Sequence, residues 1–407
     1  AMTSSRQYRW IVVLLTVVFQ AVSVGILIYS FALFVVPWLD TFSSPRRDIM
    51  LAIVALQLGT GAMSPLSGRA LDKYPIRYLI CCGSIVMAAG FVLISLATAW
   101  WQIIIVYTTL LPLGMVLAGP LAAQTLVAKW FSKRRGLAIG ISAMGTSMGG
   151  FIFPQIISYL LEGFGWRSSL IILSLVTVVT VCPLTWYILK KEPNETTLPA
   201  AADLPAETFI EVPQWTSMKL LRSPTFWIPV IALIPLNAAF GGIQFNLGAL
   251  MQDLGYQPGR AAMLISLISI AMIVGKLVFG GLADLVDHRR LYWVAASLMA
   301  CALVTIQGTP SYAVMLGSSV LIGLATGGIL PLMGVIYASR FGTASFGRVY
   351  GLVNMFLTIG AFGPLLAGWI YDLSSSYDDA FTLFLLLLIP AAVGMKWLNP
   401  PLSEDPS

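Results

Sequence analysis

Apolar residues fill this chain in long runs that would cover every face of a helix, and polar residues gather in short clusters between them. The runs fall at about 10–39, 48–70, 77–97, 100–128, 136–161, 167–189, 224–251, 260–283, 290–308, 311–338, 347–371 and 380–398. Each approaches or exceeds about 20 residues, the length a helix needs to cross the hydrocarbon core of a bilayer. Strands of a membrane barrel would alternate apolar with polar residues, and these runs do not. The pattern predicts an all-α membrane protein of 12 transmembrane helices. Glycine and proline punctuate many runs, which membrane helices tolerate where neighbours take up the freed backbone groups. The longest polar stretch, 190–223, is rich in Pro, Thr, Ala and Glu and reads as a cytoplasmic linker. It divides the chain into two six-helix bundles, 1–189 and 224–407, with Met218, Lys219, Leu220 and Leu221 placed to form a short amphipathic helix.

Charge adds an orientation. With both termini in the cytoplasm, 18 of the 23 Lys and Arg residues lie on the inner side and four (Arg46, Arg47, Arg167 and Arg260) on the outer side. That bias orients membrane helices, so the net charge of +6 reflects topology and not a nucleic-acid surface. The first run is too long for the apolar core of a cleavable signal and lacks a small-residue cleavage site. The expected location is the cytoplasmic (inner) membrane of a prokaryote, as a multi-pass monomer. Trp10, Trp38, Trp166 and Trp397 stand at span ends, where interfacial anchors belong. The four cysteines sit in apolar runs and are read as packing residues. A lone histidine, His288, is too few for a histidine metal cluster, its place in a basic inner loop argues against a Ser–His–Asp set, and no phosphate-cradling Gly-rich motif occurs. The reading is of a non-enzyme without cofactor or metal, driven by gradients.

The two halves repeat a loop. After the second span the chain reads Gly68-Arg69-Ala70-Leu71-Asp72-Lys73, and after the eighth Gly281-Leu282-Ala283-Asp284, followed by Arg289-Arg290. Half-by-half repeats are what alternating-access transporters are built from. These loops resemble the signature of the major facilitator superfamily. Lys129-Trp130-Phe131-Ser132-Lys133-Arg134-Arg135-Gly136, the glycine-rich run from Gly140 to Gly149, and Gly363-Pro364-Leu365-Leu366-Ala367-Gly368 resemble its monocarboxylate porters and the related oxalate/formate antiporters. The resemblance implies that Arg69, Asp72 and Asp284 gate the cytoplasmic mouth. It also shows departures. Lys276 stands where those families carry an arginine that meets the substrate carboxylate. Met272 replaces the porters' aspartate, Ala32 stands at their first-span lysine, and Leu357 at the antiporters' second cation.

Lys276 is thus the one charge stranded inside a span, about 12 Å along the helix from Asp284 and near the bilayer midplane. Such a charge costs several kcal/mol unless it faces a cavity or partner, and the sequence offers no carboxylate within a span away from its ends. The expected partner is a small organic anion, and one fixed cation suits a monoanion such as lactate or pyruvate. Lysine, unlike arginine, can also exchange its proton, which makes protons the candidate coupling ion. Supporting candidates are Tyr29, Gln57, Asn237, Gln244 and Asn354, amides and a hydroxyl able to donate to a carboxylate or to a neighbouring helix. The expected function is a proton-coupled symporter of a monocarboxylate. An anion exchanger of the oxalate/formate type and an exporter of hydrophobic drugs or metabolites are the alternatives.

Overall fold

Helices form along the apolar runs because, without water, only intrahelical bonds satisfy the backbone. The structure, a computed structural model, describes residues 2–44, 46–132, 134–190, 215–256 and 258–401. Most of the expected linker, 191–214, lies outside these residues.

Seven helices come first: α1 (Met2–Val24), α2 (Phe31–Phe42), α3 (Arg46–Lys73), α4 (Ile76–Ser95), α5 (Trp100–Thr108), α6 (Leu110–Leu117) and α7 (Pro120–Trp130). The long α8 (Arg135–Ile188) and the short α9 (Ser217–Leu221) lead to α10 (Pro224–Asp253), α11 (Pro258–Ala283) and α12 (His288–Thr305). The remainder are α13 (Tyr312–Gly327), α14 (Ile329–Phe341), α15 (Phe346–Leu357), α16 (Gly363–Ser374) and α17 (Asp378–Gly394). Among the described residues there is no strand, and ten helical stretches are long and apolar enough to cross a membrane.

Several expected spans are broken inside. The first contains a π-helical turn, Gly25–Tyr29, closed where Ser30 donates both its backbone N–H and its hydroxyl to the Gly25 carbonyl. The fourth is interrupted at Thr109 and again before Pro120, the tenth at Gly328, and the eleventh by a 3₁₀ turn, Thr358–Phe362. The 54 residues of α8 are likewise two helices that meet at a kink at Gly165, whose φ is 71 and ψ 169. That conformation is costly for any residue with a Cβ, so glycine marks the boundary expected between spans five and six. The amphipathic α9 forms as its pattern predicts, with Leu220 buried and Met218 exposed.

The residues cluster into two compact units. One comprises Ala1–Lys133, Met148–Ser217 and Phe341–Met355; the other comprises Arg134–Ser147, Met218–Arg340 and Phe356–Ser407. Each unit therefore takes in one helix start from the opposite half of the sequence. Missing side chains make this possible. In the second unit a Cβ on Gly280 would come within 2.6 Å of the Gly136 oxygen and 2.9 Å of the Gly140 Cα, so α8 and α11 touch backbone to backbone. The other face of α11 meets α13 the same way, with Gly327 against the Met272 oxygen and the Lys276 nitrogen. In the first unit Gly68, Gly347 and Gly351 bring α3 and α15 together.

Trp38 and Trp166 do not serve as interfacial anchors. Trp38 is fully buried, stacked on Phe34 at 5.5 Å and edge-on to Tyr107 and Trp166, whose indole N–H donates to Thr41. Position at a span end does not say which way a ring points, and here both rings turn into an aromatic cluster. Trp397 does remain exposed.

Gly140→Val should cost about 1–3 kcal/mol in thermal unfolding of the purified protein, because the new side chain meets the Lys276 carbonyl and the Gly280 Cα. Gly248→Ala, where nothing lies within 4 Å, should instead be neutral or stabilise by up to about 1 kcal/mol. Equal effects at the two positions would contradict the close packing of α8 on α11.

Candidate functional site

Lys276 lies on α11 between the two glycine-lined faces just described, and only 1% of it is exposed. Its Nζ donates to Thr146 Oγ1 and to Ser147 Oγ, both at 2.6 Å and both in the start of α8 that belongs to the same unit. Thr146 spends its own hydrogen on the Ala143 carbonyl at 2.9 Å, which leaves its lone pairs to accept from the ammonium. Both partners are neutral. Among the described residues no carboxylate pairs with Nζ, and the third of its three N–H donors has no protein acceptor. Lys276 does not reach the membrane surface, because its stem is folded onto α8.

The sequence reading did not single out Thr146 and Ser147 as site residues. They are a polar pair inside an apolar, glycine-rich span, and that contrast was the available signal. What placed them beside Lys276 was the close approach at Gly140, which linear spacing does not reveal.

The other expected site residues divide between the units. Asn237 and Gln244 share the second unit with Lys276, both on α10 and half-buried. Asn237 packs against the 3₁₀ turn near Gly360, and the buried Gln244 amide oxygen has no hydrogen-bond partner among the described residues. Their neighbour Asn246 instead ties α10 to α16 by donating to the Gly242 and Pro364 carbonyls. Tyr29, Gln57 and Asn354 belong to the first unit and are half-buried, with the Tyr29 ring lying over Gly150. Ser23 and Ser30 turn their hydroxyls onto their own backbone.

The three residues expected at a gate take up two repeated geometries and one distinct one. Asp284 accepts from the Gly136 N–H at 2.7 Å and the Leu137 N–H at 3.0 Å, capping the first turn of α8. Asp72 accepts from the Gly347 N–H at 2.9 Å and the Arg348 N–H at 2.8 Å, capping the first turn of α15. The first amides of a helix have no intrahelical acceptor and carry the positive end of its dipole, so a carboxylate there satisfies both needs. Asp72 also faces the Lys129 ammonium at 3.4 Å. Arg69 joins neither cap. It donates to Ser217 Oγ at 2.6 Å, while Arg348 donates to the Trp215 carbonyl, so the chain entering α9 is held beside the Asp72 junction.

The two geometries correspond position by position. Ser64 precedes Asp72 by eight residues, as Lys276 precedes Asp284. Gly351 approaches Ser64 as Gly140 approaches Lys276. One scaffold occurs twice, and the buried Ser64, whose hydroxyl donates to the Thr60 carbonyl, fills in one copy the place the ammonium fills in the other.

A helical membrane protein in which one capped helix pair occurs twice has the internal repetition on which many membrane transporters are built. The sequence matches the Major Facilitator Superfamily over residues 13–304 and 230–407, and the chain belongs to that family of transporters. Monocarboxylate transporter 13 of Bos taurus is 26% identical over 387 residues, covering 92% of this chain and 85% of its own length. The Uncharacterized MFS-type transporter YcxA of Bacillus subtilis (strain 168) is 24% identical over 384 residues, covering 92% and 91%. The solved structure of the proton:xylose symporter XylE bound to 6-bromo-6-deoxy-D-glucose superposes with a TM-score of 0.74 over 97% of each chain. At 13% identity that likeness establishes the shared fold alone.

Removing a cap should loosen the helix it serves. Asp284→Ala is expected to cost about 1–2 kcal/mol in thermal unfolding, and Asp72→Ala more, since it also removes the carboxylate facing Lys129. Unchanged stability in both variants would contradict the capping geometry.

Proposed function

We propose that this chain is a secondary active transporter of a small organic monoanion, and that Lys276 is the fixed charge its cargo meets. The supporting observation is a buried ammonium whose described partners are two neutral hydroxyls. Each bond to a charged donor returns about 1.5–3 kcal/mol, which offsets part of the desolvation cost and leaves the positive charge itself unneutralised. A carboxylate reaching the third N–H would complete the set. One cation without an acidic neighbour favours a monocarboxylate of the lactate or pyruvate class over a dicarboxylate, and the likeness to a monocarboxylate transporter points the same way.

Tyr29, Gln57, Asn237, Gln244 and Asn354 are the proposed polar contacts around that anion. Asp72 and Asp284 are proposed to hold the cytoplasmic gate shut through their caps, with Arg69 fastening the linker end beside one of them. In this reading two six-helix bundles, 1–189 and 224–407, rock about the 190–223 linker in an inner membrane, both termini cytoplasmic. Protonation of Lys276 and anion binding support one another, which would give proton–anion symport without the aspartate of related porters. Exchange of one anion for another would use the same residue.

The test is a thermal-shift screen of the purified protein against a panel of monocarboxylates, repeated with Lys276→Met and Lys276→Ala. A ligand confined to the folded state raises stability with concentration over Kd, by about 2.7 kcal/mol at a hundredfold excess. Hits on the wild type should vanish in both variants. Lys276→Met should itself leave the ligand-free protein as stable or more so, because it removes a buried charge while keeping the volume. Hits that survive both substitutions, or a strongly destabilised Lys276→Met, would make the ammonium a structural tether. In proteoliposomes, anion uptake that acidifies the lumen indicates symport. Uptake requiring a counter-anion and leaving pH unchanged indicates exchange.

A further inference from the structure

A groove on the second unit points to a ligand from the membrane itself. It is an open groove of about 470 Å³, lined by Arg290, Trp293, Val294, Ser297, Leu298 and Cys301 of α12 with Leu321 of α13. The α12 positions recur at helical spacing and form one stripe, about 16 Å from Arg290 to Cys301. That is roughly half the hydrocarbon thickness, the depth one leaflet occupies. Trp293 forms a fixed wall, because its indole N–H is committed to the Ala392 carbonyl of α17 at 2.8 Å.

The charged end distinguishes this groove from ordinary apolar surface. Arg289 is spoken for: it forms an ion pair with Asp287 at 2.9 Å, and those bonds hold the Asp287 carboxyl below the usual carboxylate range. Arg340 is occupied as well, donating to His288 Nδ1, the Asn399 carbonyl and the Ile336 carbonyl. Because a guanidinium only donates, His288 Nδ1 must accept, and its Nε2–H is left to donate to the Ala283 carbonyl. Arg290 alone in this cluster is exposed and has no partner among the described residues. An unpaired guanidinium at the mouth of an apolar slot, on the basic side of the chain, complements one anionic head above one acyl chain.

We propose that this groove binds an anionic phospholipid of the inner leaflet, with its phosphate on Arg290 and an acyl chain along Val294, Leu298, Cys301 and Leu321. Basic pockets between membrane helices on the cytoplasmic side recognise anionic head groups in this way. The site is independent of Lys276, so it stands or falls apart from the transported anion.

The test uses the purified full chain in mixed micelles of phosphatidylglycerol and phosphatidylcholine, with retained lipid counted by native mass spectrometry. The wild type should retain phosphatidylglycerol over phosphatidylcholine by about fivefold, the preference one arginine near the surface supplies. Arg290→Gln should bring the ratio to about one. Arg77→Gln removes the same charge from a residue engaged by Tyr78 and Trp186, and should leave the ratio within about twofold of wild type. Ser297→Trp, which fills the groove without altering charge, should lower retention of phosphatidylglycerol. Equal retention of the two lipids by the wild type, an unchanged ratio in Arg290→Gln, an equal loss in Arg77→Gln, or full retention in Ser297→Trp would each overturn the proposal.

Discussion

A positive charge held away from water by protein on every side is the constraint around which the second unit is built. Lys276 is excluded from solvent because α11 is pressed between α8 and α13 at distances only glycine allows. The same contact that buries the ammonium brings Thr146 and Ser147 to it, so its burial and its partial relief share one cause. Neutral hydroxyls orient such a charge without cancelling it. An aspartate in their place would instead have neutralised it.

The repeated caps show how one scaffold carries different chemistry in its two copies. In each, a carboxylate at the end of one helix satisfies the first amides of another, and glycines on both sides let the backbones meet. The copies differ eight residues earlier, where one has Ser64 and the other Lys276. The repeated framework thus carries a neutral hydroxyl in one copy and an amine in the other.

Much of this was legible in the sequence for a physical reason. A bilayer imposes length and apolarity on each span, and the loop repeat marks both capping carboxylates. Lys276 stood out because charge is so costly at that depth. What escaped were features decided by tertiary contact. Breaks at Gly25–Tyr29, Gly328 and Thr358–Phe362 leave hydropathy unchanged and so leave no trace in an apolar run. Trp38 looked like an anchor because its position says nothing of the ring's direction. Thr146 and Ser147 gained their role only through the approach of α8 to α11. Likewise Gln57, Asn237 and Asn354 remain half-buried amides whose sequence positions alone do not say what they face.

The most direct measurement is a high-resolution structure of the protein with a monocarboxylate that stabilises it in solution. A carboxylate oxygen about 2.7–2.9 Å from Lys276 Nζ, the separation of a charge-assisted hydrogen bond, is the result expected. An anion bound elsewhere, with Nζ still bonded only to Thr146 and Ser147, would contradict the account.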